Sequence, residues 1–374
     1  MKLVLLWFFL IISLVYFLIA LVLALAKSKF PPQNPDYLPF VSVVISARNE
    51  GSTIGPCLDS LLAQDYPEDL FEVITVDDRS SDNSPEILES YRRKYPRLKV
   101  ITIRKEPEAL TGKQVAMDVG INQARGEIIM TTDGDCLLPP GWISETVRYF
   151  SPEVGMVAGF SHCGFGSLFS GIQSCDHIFL EGVASGFVTF GNPQSCIGNN
   201  LSFRKEIYQS LGGFEKIGFT VTEDTALMQG IFAQTGSKIL FPQNHRTLVV
   251  CEAAKNLGDF FRQRKRWLLG GIKIHRLTCA MAIVAFLRNL LFLFSPLFLL
   301  FQTSLTPLMW AWILTFVSDF LILFKHRALL GTGKLLTYYL PFQLFYPFYT
   351  SVLGLSVIFG SKKVHWKERE YSPR

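Results

Sequence analysis

The chain has 374 residues, of which 49% are hydrophobic, 13% aromatic and 18% charged, with a formal net charge of +5. The charged share falls below the roughly 25% of soluble domains, and mean hydropathy is positive. Disorder, a collagen-like repeat and an ordinary soluble enzyme are thereby excluded, and there is room for one or two domains plus membrane spans. Basic residues cluster beside the apolar segments, so they read as membrane-flanking and not as a nucleic-acid surface. Seven cysteines form an odd set with no CxxC pair and no His-Cys ligand spacing. A disulfide framework and a zinc site are not expected, and a reducing compartment fits best.

Residues 3–26 carry no charge, which is enough to span a bilayer at about 20 residues per crossing. Ala24-Leu25-Ala26 imitates a signal-cleavage site. The apolar run, however, exceeds the ~7–15 residues of a signal core, and Lys27 and Lys29 follow it directly. A retained anchor is expected, with the next domain held in the cytoplasm.

The middle of the chain alternates short apolar runs with amphipathic ones. Strands are expected at 40–46, 71–76, 99–103 and 127–131. Helices are expected at 55–64, 84–95 and 112–124, with Ser84 as N-cap and Pro85 at the first helical position of the second. This alternation predicts an α/β domain with a mostly parallel, Rossmann-like sheet. Such sheets bind ligands beyond the carboxyl ends of their strands. Three clusters fall there: Ala47-Arg48-Asn49-Glu50, Asp77-Asp78-Arg79-Ser80-Ser81-Asp82, and Asp133-Gly134-Asp135. An Asp after a strand is ordinarily a turn or cap residue, but three such clusters in succession converge on one crevice. Asp133 and Asp135, separated by one small residue, can share a hard cation such as Mg²⁺ or Mn²⁺, which prefers oxygen ligands and substrate phosphates. Gly134 lets the backbone turn closely there.

Two further clusters lie downstream. Thr222-Glu223-Asp224 precedes an apolar, helix-like run at 226–232. An N-cap with acidic residues in the first turn explains it, and so does a general base, since an Asp is ionised at neutral pH and can accept a hydroxyl proton. Gln263-Arg264-Lys265-Arg266-Trp267 stands just before the apolar C-terminal third. It reads as an interfacial amphipathic helix with an aromatic anchor. Arg266 can also hold phosphate and Trp267 can cover a sugar ring.

From Ala280 to Phe324 the only charges are Arg288 and Asp319, and a polar break at Gln302-Thr303-Ser304 with Pro307 suggests two spans, 282–302 and 306–324. A third uncharged stretch, 335–360, contains Pro341 and Pro347. Two spans return the chain to Lys325-His326-Arg327 inside. A third would put Lys362, Lys363, Lys367 and Arg369 outside, against the positive-inside rule. Either one segment is interfacial or re-entrant, or the rule is broken here; Pro341 and Pro347 make 335–360 the expected irregular segment, and Arg288 makes the start of the first C-terminal segment another candidate.

In this order, Asp77-Asp78, Asp133-Gly134-Asp135, Thr222-Glu223-Asp224 and Gln263…Arg266-Trp267 resemble the signature of the membrane-integrated family-2 glycosyltransferases, the branch of cellulose, hyaluronan and poly-N-acetylglucosamine synthases and ceramide glucosyltransferases. The resemblance covers about 40–270 and the flanking membrane segments. It implies a GT-A fold flanked by transmembrane helices, a nucleotide-diphosphate sugar donor, expected to be a UDP-sugar, and inversion at the anomeric carbon. It also implies roles for particular residues. Asp77, Asp78, Ala47, Arg48, Asn49, Glu50 and Lys113 would line the donor pocket. Asp135 would be the principal metal ligand, with Asp133 nearer the donor. Asp224 would be the base, and Glu223, Gln263, Arg266 and Trp267 would serve the diphosphate and acceptor end. The chain divides accordingly into an anchor and linker (1–38), a GT-A domain (39–260), an interfacial segment (261–280) and a C-terminal membrane region of two to three spans with a basic tail (281–374).

The sequence departs from the pattern in two places. Arg79-Ser80-Ser81 stands where the family has Gly-Ser, and Ser195-Cys196-Ile197-Gly198-Asn199-Asn200 occupies the place of an acceptor-binding loop without its letters. The leading expectation is transfer to a lipid or glycan acceptor at the cytoplasmic face of an inner or plasma membrane, with the bilayer as partner and a homo-oligomer or partner subunit as an option. A processive polysaccharide synthase and a non-catalytic membrane partner subunit are the alternatives.

Overall fold

The computed structural model describes residues 2–31, 33–105, 112–274, 276–301, 305–331, 333–361, 363–366 and 369–371. The polar break at 302–304, Thr111 of the turn before Lys113, and Lys362 and Lys367 of the basic tail lie outside the described residues. The chain forms two compact units, one of residues 1–27, 165–190 and 253–374 and one of residues 28–164 and 191–252. Residues 165–190, inside the 39–260 stretch, thus belong to the first unit.

The second unit is built on strands β1 (Val41–Ala47), β2 (Phe71–Asp77), β3 (Leu98–Thr102), β4 (Ile128–Asp133), β5 (Val154–Ala158), β6 (Ser161–His162), β7 (Leu201–Arg204), β8 (Lys238–Leu240) and β9 (Val249–Val250). Among the described residues, seven of them form one sheet in the order β3-β2-β1-β4-β7-β5-β8, and β6 pairs with β9. β1 and β2 are buried at every position. Such strands, covered on both faces, read as continuous apolar, β-branched runs. β1, β2, β3 and β4 are parallel to one another, whereas β7 runs antiparallel to both β4 and β5. The sheet is therefore mostly parallel, as the sequence predicts, with one reversed strand in its middle. Because the chain runs outward from β1 to β3 and then returns to the other side of β1 for β4, the switch point lies between β1 and β4, where such sheets hold ligands.

Helices Ile54–Leu62, Ser84–Lys94 and Lys113–Gln123 follow β1, β2 and β3. The cap of the second differs from expectation. Asn83 is the N-cap and Ser84 the first helical residue. The Ser84 hydroxyl is engaged elsewhere: it donates to Asp82 (2.6 Å) and accepts from the Glu50 amide (2.8 Å). At the opposite end of the strands, Glu72 is buried but structural. It accepts from Ser42 (2.8 Å) and the Arg125 amide (2.7 Å) and pairs with Lys99 (2.7 Å). Burial pushes its carboxyl up, yet Lys99 and these donors outweigh burial and hold it below its ordinary value.

Among the described residues, the first unit holds three helices long and apolar enough to cross a membrane: Leu3–Leu25, Cys279–Leu300 and Leu305–Ala328. Leu6, Phe9 and Ile12 of the first pack on Leu308 and Ala311 of the third. The 335–360 stretch is a 3₁₀ run, Gly333–Tyr338, leading into helix Tyr339–Ile358, with Pro347 inside the helix. Helix Leu257–Ile274 carries the Gln263–Trp267 cluster.

Candidate active site

The parallel register sets the site. Ala47 lies opposite Asp77, and Ser46 opposite Asp133. The ends of β1, β2 and β4 therefore deliver their polar clusters to one rim. Asp78 is fully buried. Arg48 donates to its carbonyl (2.9 Å), and Arg79 pairs with its carboxylate (2.8 Å). Asp77 accepts from the Ser80 amide (3.2 Å).

The loops after β1 and β2 are laced together. The Asn49 amide donates to Ser80 (3.0 Å), the Ser81 amide donates to the Asn49 side chain (2.8 Å), and the Gly51 amide donates to Asp82 (2.8 Å). Burial raises the Asp82 carboxyl, but bonds from Ser84 and from the Ser84 and Gly51 amides win and lower it. Arg79 adopts φ +58° and Asn49 φ +53°. Arg79 thus takes the left-handed backbone that a glycine would adopt without strain.

On the other side of the switch point, Lys113 begins its helix and reaches Asp133 (2.5 Å) and Glu223 (3.3 Å). Burial opposes its charge, but Asp133, Glu223 and Asp224 prevail, so the ammonium is raised above its ordinary value and stays charged at neutral pH. Glu223 and Asp224 open helix Glu223–Thr235 after the Thr222 N-cap. The Gly198 amide donates to Asp224 Oδ2 (2.7 Å) and the Thr225 amide to Oδ1 (2.7 Å). Gly134 packs closely: a Cβ there would stand 3.2 Å from both Glu50 Cγ and Ile54 Cδ1. Cys57 and Cys136 flank the acidic turn, but burial, and after it Asp135, pushes both thiols well up. Raised and buried thiols of this kind fit a structural place better than a nucleophilic one.

The structure thus brings Lys113, Asp133, Glu223 and Asp224 together, and separately Asp78 with Arg48. Gln263, Arg266 and Trp267 lie on helix Leu257–Ile274 of the other unit. There the guanidinium of Arg264, 3% exposed, bonds Asp176 (2.6 Å) and stacks over Trp267 (4.2 Å), and His177 meets the same indole edge-on at 5.4 Å. Sequence reasoning did not single out Thr131, and it singled out Gly198 only as part of the segment whose letters depart from the pattern.

The model for glycosyl transferase family 2 matches residues 42–212, and that for glycosyl transferase family group 2 matches 128–359. The chain belongs to glycosyltransferase family 2. This family-2 glycosyltransferase is 38% identical over 118 residues to a β-monoglucosyldiacylglycerol synthase of Synechocystis sp., a match covering 31% of this chain and 24% of that one. It is 26% identical over 257 residues to the glycosyltransferase AglE of Haloferax volcanii, covering 64% and 78%. It is also 25% identical over 271 residues to a poly-β-1,6-N-acetyl-D-glucosamine synthase of Staphylococcus aureus, covering 71% and 62%. The chain thus spans about a quarter of the glucosyldiacylglycerol synthase it matches. Among solved structures, a mannosyltransferase of Pyrobaculum calidifontis in complex with GDP-Man and Mn²⁺ superposes with a TM-score of 0.64 over 96% of this chain and 98% of that one. At 20% identity this is a likeness of fold.

Proposed function

We propose that the protein transfers a sugar from a nucleotide-diphosphate donor to a membrane lipid or short glycan acceptor, with inversion. The observation that carries this reading is the Lys113–Asp133–Glu223 bridge beside Asp224, at the switch point of a family-2 sheet. Asp224 takes the proton of the acceptor hydroxyl as its oxygen attacks the anomeric carbon and the bond to the diphosphate breaks. Asp77, Asp78, Ala47, Arg48, Asn49 and Glu50 line the nucleotide side. Gln263, Arg266 and Trp267 are assigned to the diphosphate and acceptor.

The oxygen-only donor set of Asp133 and Asp135 fits a hard divalent cation, Mg²⁺ or Mn²⁺. Asp135 is assigned as the principal ligand, with Asp133, which pairs with Lys113, nearer the donor. When bound, the cation neutralises the leaving diphosphate. Single transfer to a lipid is preferred over polymer synthesis, with the glucosyldiacylglycerol synthase likeness in support.

The test is incubation of the membrane-embedded protein with labelled UDP- and GDP-sugars and Mn²⁺ or Mg²⁺. Label is expected in an extractable lipid or short glycan, and it should be lost in excess chelator. Label in a large polymer would favour the processive reading, and full transfer in chelator would remove the metal. Asp224→Asn should keep donor binding and lower transfer by about 10²–10⁴-fold. Retention of more than about a tenth of the rate means another residue is the base.

Lys27 and Lys29 after the first span support a cytoplasmic catalytic unit. A cysteine introduced at the exposed Ser90 should then resist an impermeant reagent in intact cells, and ready labelling there would reverse the topology.

A further inference from the structure

Strand β4 sends two bridges to the first turn of helix Glu223–Thr235. One runs from Asp133 through Lys113 to Glu223. The other starts two residues earlier, on the same strand face, at Thr131. Thr131 is 3% exposed, and its hydroxyl donates to the Gly198 carbonyl (2.8 Å), with a longer contact to the Leu201 carbonyl (3.3 Å). The Gly198 amide in turn donates to Asp224 Oδ2 at 2.7 Å. The far end of this turn is fixed as well. Asn200 accepts from the Trp142 indole (2.9 Å) and donates to the carbonyls of Phe160 and Thr247 (2.8 Å each). A Cβ at Gly198 would come within 3.3 Å of Asp224 Oδ2 and 3.6 Å of Lys113 Nζ, so the turn lies directly against the carboxylate.

We propose that Thr131 is a positioning residue for proton transfer: its hydroxyl fixes the Gly198 turn, and the Gly198 amide holds the Asp224 carboxylate in the orientation that receives the acceptor proton. The proposal rests on Asp224 being the base. Thr131 touches no substrate. Its hydroxyl fixes a peptide whose N–H meets an ionised, acceptor-only group, and small misplacements of a catalytic group are costly in rate.

The experiment compares Thr131→Val, which keeps shape and β preference but removes the hydroxyl, with Thr131→Ser, which restores it. Thr131→Val is expected to lower kcat by about tenfold or more while donor KM stays within about twofold, and Thr131→Ser to recover at least half of the rate. In an Asp224→Asn background, Thr131→Val should cost nothing further, since the two act as one unit. If Thr131→Val does not fold, Gly198→Ala, which crowds Asp224 Oδ2, must give the same loss in kcat alone. Wild-type kcat in Thr131→Val, equal losses in Val and Ser, or multiplicative losses with Asp224→Asn would each overturn the proposal. Failure of the base reading shows separately, as an Asp224→Asn enzyme that still transfers.

Discussion

Arg79 and Asn49 are the non-glycine residues with positive φ among the described residues, and they belong to the two loops after β2 and β1 that are laced together. Asn tolerates this conformation. For a long L side chain it costs about 1–2 kcal/mol, and such strain persists at functional sites when its surroundings hold it. Here the surroundings include the 2.8 Å pairing of Arg79 with the buried Asp78. Arg79→Gly and Arg79→Ala both lose that pairing, so their difference isolates the backbone. Arg79→Gly should be the more stable of the two by about 1 kcal/mol, measured as a higher unfolding temperature under identical conditions. Equal unfolding temperatures would mean that the strain does no more than offset the greater unfolded-state freedom of glycine. The sequence pointed to this rim, because polar or acidic clusters stand at the ends of β1, β2 and β4. It could not show that Arg79 copies a glycine backbone, since φ is a property of the turn and not of the letter. Thr131 was hidden for a related reason. A threonine inside a β-branched run looks like an ordinary strand former, and its hydroxyl partner comes from a turn 67 residues away.

At the scale of elements, β1, β2 and β4 were legible because burial on both faces writes itself as short, mostly apolar and β-branched runs. The Ser84 cap was misplaced by one residue because Ser84 is drawn to Asp82 and the Glu50 amide, a contact between loops that local preference does not record. The assignment of 165–190 to the membrane-rich unit was equally hidden: Asp176 finds its partners, Arg264 and Tyr349, in distant parts of the chain. Gly120 shows how packing overrules propensity. An interior helical glycine costs about 1 kcal/mol relative to alanine, which alone favours Gly120→Ala. Yet a Cβ there would stand 2.5 Å from Val44 Cγ1 and 3.1 Å from Val76 Cγ2, and overpacking costs about 1–3 kcal/mol. Gly120→Ala should therefore destabilise the second unit. In a Val44→Ala background the same change should become neutral or stabilising. A destabilisation of equal size in both backgrounds would show that the helix does not rest on Val44.

At the scale of the whole molecule, the membrane-rich unit contains one feature that anchoring does not require. Arg288 and Asp319, the two charges that interrupt the C-terminal apolar stretch, are both fully buried and meet as a fork, with Nη1 to Oδ1 at 3.2 Å and Nη2 to Oδ2 at 3.1 Å. Arg288 also lies 3.8 Å over the ring of Tyr16 in the first helix and bonds the side chain of Asn289, which in turn donates to Thr350 (2.8 Å). The pair therefore ties the three span-length helices and helix Tyr339–Ile358 at one level. Ionisable residues inside spans are costly and ordinarily mark function, but neither charge reaches solvent here, which favours a register lock. The two readings separate on substitution. Asp319→Asn leaves a buried guanidinium without its counter-charge and should destabilise the unit by about 3–5 kcal/mol, seen as a loss of folded protein in detergent. The double variant Arg288→Met with Asp319→Leu removes both charges and should recover most of that loss. It should also restore transfer if the pair only assembles the helices. A double variant that folds and sits in the membrane, yet fails to transfer, would instead assign the pair a part in the reaction.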